Sequence, residues 1–132
     1  MNERITSFRD EHNFLSNFWS CDIVMDGLLY PSTENAFQAA KTLKEAERGQ
    51  FIHCTAGQSK KLGRTITLRP DWEEVKVPVM RVLLFQKFAM NPLRDQLLAT
   101  GDAALVEGNT WGDTFWGMTR DDAGVEKGHN YL

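Results

Sequence analysis

The sequence feature that constrains the fold most is a hairpin that runs straight into a helix. Two apolar runs, Ile23-Val24-Met25 and Leu28-Leu29-Tyr30, flank Asp26-Gly27. An Asp-Gly pair in that setting is a strong signal for a two-residue β-turn, because both central residues must accept positive φ. The second strand delivers the chain to Pro31-Ser32-Thr33. Proline is tolerated only at a helix entry, and Ser32 or Thr33 can cap the first turn with a side-chain oxygen. From Glu34 the residues are good helix formers with no break until Gly49, which predicts one long helix. Glu34, Gln38 and Lys41 stand at i, i+4 and i+7 and so share one face of it. A carboxylate, an amide and an amine in register can build a small polar site, or form an ordinary solvated stripe.

The other elements fall on either side. Ile5–Phe8 alternates like a short strand, and Arg9–Asn13 reads as a polar loop. Phe14-Leu15-Ser16-Asn17-Phe18-Trp19 crowds three aromatics around a Ser-Asn pair. It reads either as an aromatic core strand or as a loop whose rings stack a flat ligand while Asn17 hydrogen-bonds it. Phe51 to Cys54 starts a short element, and Thr55 to Gly63 reads as a short helix. Lys60, Lys61 and Arg64 at its end form the densest basic cluster in the chain, beside a glycine. That combination is a solvated face or a phosphate contact. Asp71 is placed to cap a helix from Trp72 to Phe88, with a kink or restart expected at Pro78. Arg81 sits in the middle of this helix. Asn91-Pro92 marks a turn before a helix over Leu93–Ala99, and Ala103–Glu107 reads as a strand. Glu107 to Met118 carries two Trp-Gly pairs around Asp113, a density that suits a loop with close backbone approaches. The tail after Arg120 offers no element.

Composition sets outer bounds. The chain has 132 residues, a formal charge of −3 and 42% apolar residues, which suits one soluble domain with a real core. The mild acidity argues against a generally basic nucleic-acid-binding surface. There is no apolar run near the ~20 residues of a membrane span, and no signal-peptide core, so a cytoplasmic protein is expected. Cys21 and Cys54 then read as free thiols, and His12, His53 and His129 lack metal-ligand spacing, so no metal is expected. No Walker-type loop is present. The element order gives an α+β fold, mainly helical with small antiparallel strands.

Five stretches recur together in a known order: Ser16-Asn17-Phe18; Pro31-Ser32-Thr33-Glu34 through Gln38-Ala39-Ala40-Lys41; Gly63-Arg64; Trp72 to Lys87-Phe88; and Asp113 to Trp116-Gly117. With these the chain resembles the NADAR, or YbiA-like, family over nearly its whole length, as a single domain over 1–132. Two departures stand out. The family often has histidine where this chain has Asn35, and an amide cannot take a proton there. The family's last segment would begin at Gly128–Leu132, of which this sequence holds only the start.

The resemblance implies an N-glycosidase without a cofactor, acting on a ribose–nitrogen bond. The substrate would be a phosphoribosylamine of riboflavin synthesis or an ADP-ribosyl group on guanine, including guanine in nucleic acid. No membrane partner is implied. Cleavage builds positive charge on the ribose and negative charge on the departing nitrogen. The implied catalytic residues are Glu34, Lys41 and Asp113. Lys41 would act as proton donor or as an amine that forms a Schiff base. Arg64 and Arg81 would hold phosphate, Phe18, Trp19 and Trp116 would stack a base, and Asn17 and Gln38 would support the substrate. The alternative is a module that binds ADP-ribose or a nucleotide without turnover.

Overall fold

A computed structural model of the chain describes residues 4, 5, 8, 10–101, 103–105, 119, 120, 126 and 127. The elements in order are β1 (Arg4–Ile5), a 3-10 helix (Asp10–Leu15), β2 (Ser20–Met25), β3 (Leu28–Ser32), α1 (Thr33–Ala40), α2 (Glu45–Gly49), a 3-10 turn (Gln50–Ile52), α3 (Ala56–Leu62), α4 (Trp72–Phe88), α5 (Leu93–Leu98), β4 (Ala104–Leu105), β5 (Thr119–Arg120) and β6 (Glu126–Lys127). The fold is α+β and mainly helical, as the sequence predicts. It divides into two compact units, Asn17–Asp95 and Met1–Ser16 with Gln96–Leu132.

In the first unit, β2 and β3 form the expected antiparallel hairpin. Asp26 (φ 50°) and Gly27 (φ 82°) both take the left-handed backbone that the turn demands. Ile23 and Tyr30 face each other across the strands and are fully buried, while the next pair, Val24 and Leu29, is half exposed. One extra residue in β2 makes a bulge between Ser20 and Ile23. Ser32 caps α1. Its hydroxyl accepts from the Asn35 N–H at 3.1 Å and donates to Asn35 Oδ1 at 2.6 Å.

All eight residues of α1 are buried. The helix packs against β2, β3, α2, α3, α4 and the 3-10 turn, so it is the axis of this unit. The alanines 36, 39 and 40 let neighbours approach closely. Phe37 meets Trp72 of α4 with ring centroids 5.0 Å apart and planes tilted by 57°, a geometry aromatic pairs favour.

Several expectations are corrected. The long helix to Gly49 does not form: α1 ends at Ala40 and α2 begins at Glu45. Local side-chain bonds take over at the gap, as polar residues do when they offer the backbone an alternative. Thr42 Oγ1 accepts from the Lys44 N–H at 3.1 Å and donates to Glu47 at 2.6 Å, and Arg48 Nε donates to the Thr42 carbonyl at 2.8 Å. The Lys41 and Ala40 carbonyls at the end of α1 accept instead from the Arg69 backbone N–H (2.7 Å) and the Arg69 guanidinium (3.5 Å). Asp71 stands at the N-cap of α4, but its carboxylate is taken by Arg69 and makes no cap bond. α4 continues as one element across Pro78, without a restart. Phe14 to Trp19 is not a strand. The 3-10 helix covers Asp10–Leu15, including most of the predicted Arg9–Asn13 loop, and a turn leads to β2.

Among the described residues, the second unit holds four short strands besides that 3-10 helix. β5 and β6 pair antiparallel in the tail, where the sequence suggested no element. β1 and β4 pair in parallel, Arg4 with Ala104 and Ile5 with Leu105. Among the described residues, no helix is long and apolar enough to cross a membrane.

Candidate active site on the buried helix

The polar face of α1 is not a solvated stripe. Glu34 keeps only 7% of its surface exposed and Gln38 only 5%. Burying a carboxylate is costly unless it is held, and Glu34 is fixed both at its backbone and at its carboxylate. Its backbone N–H donates to the Asn17 carbonyl at 3.0 Å, which fixes the turn of the aromatic loop to the helix start. Its Oε1 accepts from Gln38 Nε2 at 2.8 Å, a bond that their i, i+4 place on one face allows. That bond orients the Gln38 amide. Its other end, Oε1, is buried and has no hydrogen-bond partner among the described residues.

Lys41 lies half-buried at the end of the same face. Burial pushes its pKa below the ordinary lysine value, Glu34 opposes the shift, and Arg64 and Lys60 add to it. These are the charges that surround the amine. The basic end of α3 thus lies within electrostatic reach of the end of α1. Arg64 and Lys60 are exposed, so the cations stand at the mouth of the site and the carboxylate beneath.

Asn17 is buried, with its amide 3.8 Å from the Met80 sulfur and its Oδ1 unpartnered among the described residues. Trp19 is half-buried. Phe18 is 47% exposed and borders an open cleft of about 640 Å³ with Pro31, His53, Cys54 and Gln58. The structure therefore brings together Asn17, Glu34, Gln38, Lys41 and Arg64. Arg81 is exposed on α4 and is not among the charges acting on Lys41. Asp113 and Trp116 lie outside the described residues, as do Trp111 and the segment 128–132.

Asn35 has a different task from its neighbour Glu34. Its amide nitrogen donates to the Phe51 carbonyl at 2.8 Å and the Cys54 carbonyl at 2.9 Å, and it is fully buried. It anchors the chain that leads into α3. Gly63, at the end of α3, is the residue whose reason sequence reasoning missed. A Cβ at this position would run into the Gln38 side chain, and such closeness between positions so far apart leaves no local signal. Among the described residues no group of three or more His, Cys, Asp or Glu side chains is placed to hold a metal ion.

A family model, the NADAR domain, matches residues 5–132. The chain belongs to the NADAR family. It is 39% identical over 130 residues to the N-glycosidase YbiA of Escherichia coli, covering 96% of this chain and 78% of that protein. It is 38% identical over 127 residues to a riboflavin biosynthesis protein of Vibrio vulnificus, covering 93% of this chain but only 33% of that longer protein. The NMR structure of the E. coli protein YbiA superposes with a TM-score of 0.74 at 37% identity, over 89% of this chain and 73% of that one. Members named N-glycosidase thus share this chain's sequence over most of its length, and for YbiA the shared fold is seen directly.

Proposed function

We propose that this NADAR chain is an N-glycosidase that hydrolyses the bond between a ribose anomeric carbon and a nitrogen, on a small phosphoribosylamine substrate. The observation that carries the reading is the buried, amide-held carboxylate of Glu34 with Lys41, its pKa lowered, on the same helix face. Names of relatives support it: YbiA is called an N-glycosidase and the Vibrio protein a riboflavin biosynthesis protein.

In this reading the C–N bond breaks with its electron pair leaving on nitrogen. Water supplies hydroxide to the anomeric carbon and a proton balances the departing amine. The Glu34 carboxylate faces the positive charge that grows on the ribose, where a fixed negative group stabilises the transition state. The Lys41 ammonium is the proton donor, and a lowered pKa makes it a stronger acid. Arg64 and Lys60 receive the phosphate. The lowered pKa also raises the fraction of neutral amine, so Lys41 as a Schiff-base nucleophile is the competing role.

The test offers the protein a phosphoribosylaminopyrimidine and ADP-ribosylated guanosine and measures by chromatography the aminopyrimidine released from the first and the guanosine and ADP-ribose released from the second. Turnover of the first is expected, falling about 10²–10³-fold in Glu34→Gln. Cleavage of ADP-ribosylated guanosine alone would move the substrate to the ADP-ribosyl class. Tight ADP-ribose binding with no release from either substrate would make the chain a binding module. Borohydride trapping of a covalent adduct on Lys41 would replace the proton-donor role by the Schiff base.

A further inference from the structure

Gly63 is a glycine without a conformational reason to be one. Its backbone is ordinary right-handed helix, φ −60° and ψ −13°, which any residue adopts. Its N–H donates to the Ser59 carbonyl at 2.9 Å, so it is not offered to an anion. What the position lacks is room. A Cβ there would stand 2.0 Å from Gln38 Oε1 and 2.9 Å from Gln38 Cδ, far inside contact distance. The Gln38 amide cannot turn away without loss, because only its NH₂ end can donate to the Glu34 carboxylate, and that bond sends Oε1 toward position 63. Gln38 as a whole is only 5% exposed, so its amide has little solvent to retreat into.

We propose that Gly63 is a positioning residue. Its missing side chain is the seat of the Gln38 amide, and through that amide it sets the orientation of the Glu34 carboxylate. The basic cluster next to it is then a separate matter: Arg64 and Lys60 face the mouth of the site, and the glycine serves its floor. The proposal deepens the hydrolase reading and rests on it for its catalytic consequence.

The experiment is a double-mutant cycle on the full chain with Gly63→Ala, Gln38→Ala and both together, read as kcat, KM and thermal midpoint. Misplacing a catalytic group by about 1 Å can cost on the order of 10²-fold in rate. Gly63→Ala is therefore expected to lower kcat by about that factor, with KM changed less than about twofold. The double variant should be no slower than Gln38→Ala alone, because the seat has nothing left to hold. The thermal midpoint gives a readout that needs no substrate. Gly63→Ala should lower it in the native background. With Gln38 truncated, the same change should leave it level or raise it, since alanine is the better helix former and the nearest remaining contact is the Ser59 carbonyl at 3.3 Å. If Gly63→Ala lowers kcat by the same factor in both backgrounds, or leaves the native rate intact, the positioning role is overturned. If the wild type cleaves no ribosyl substrate, the hydrolase reading falls, and the thermal cycle alone decides whether Gly63 seats Gln38.

Discussion

Asn35 shows how two adjacent residues of one helix turn can divide the work. Glu34 turns its carboxylate to the Gln38 face, whereas Asn35 turns its amide toward Phe51 and Cys54, about 100° around the helix. The histidine that the family often carries at this position suggests a proton carrier, but here the side chain spends its hydrogen bonds on Ser32 and two backbone carbonyls. Asn35→Ala is therefore expected to act on stability. Leaving such buried partners unsatisfied costs about 1–3 kcal/mol each, so urea unfolding should show a loss of at least that size. The rate per folded molecule should stay near that of the wild type, and a proportional loss of rate would place Asn35 in the chemistry. At this scale the sequence was readable where contacts are local. The i, i+4 spacing put Glu34 and Gln38 on one face, and Pro31-Ser32-Thr33 announced the cap. It was silent where partners are distant in sequence: Gly63 on Gln38 and Asn35 on Phe51 become neighbours only once α1, the 3-10 turn and α3 have packed.

Elements followed the same division. Asp26-Gly27 specified its hairpin, and Thr55 with Gln58 formed the capping box that opens α3. The missed break between α1 and α2 comes from the bonds of Thr42 with Glu47 and Arg48 and of Arg69 with the Lys41 carbonyl, which outweigh the helix propensity of the segment. A comparable tertiary bond secures the hairpin. In a two-residue hairpin the backbone of Val24 points its N–H and carbonyl away from β3. Both are met by one side chain of α4: Gln86 Oε1 accepts from the Val24 N–H at 2.6 Å and Gln86 Nε2 donates to the Val24 carbonyl at 2.8 Å. The amide thus acts as a short substitute strand on an edge that carries exposed Val24. Gln86→Ala should accelerate hydrogen exchange at the Val24 amide and cost about 1–2 kcal/mol by chemical denaturation. Gln86→Glu keeps the acceptors and loses the donor, so it should also be destabilising. Unchanged exchange at Val24 in Gln86→Ala would show that the strand edge holds without the amide.

For the molecule as a whole, stability against pH carries the mark of one residue outside the candidate site. Lys87 of α4 is fully buried, with its ammonium 4.9 Å from the centre of the Phe88 ring. Burial pushes its pKa down to about 8, although the neighbouring Cys21 acts in the other direction. An unfolded lysine keeps its proton to a much higher pH. Below about 8 both states are protonated, and folding bears the full cost of a buried charge. As pH rises from there toward the unfolded lysine value, the unfolded chain binds more protons than the folded one, so this contribution to unfolding free energy rises and the cost disappears. A shift of that size corresponds to a cost on the order of 3 kcal/mol. Other groups titrate in the same range: the Cys21 thiol and the Tyr30 hydroxyl are pushed up by burial and lose stability as pH rises. The effect of Lys87 is therefore read as a difference between variants. Lys87→Met, which keeps the long apolar stem, should be more stable than the wild type by about 1–3 kcal/mol at neutral pH. That advantage should shrink steadily in urea titrations repeated up to about pH 10. An advantage that stays constant over this range would mean that Lys87 binds its proton equally in the folded and unfolded states, with no lowered pKa, and a loss at every pH would mean that its charge is held by more than it costs.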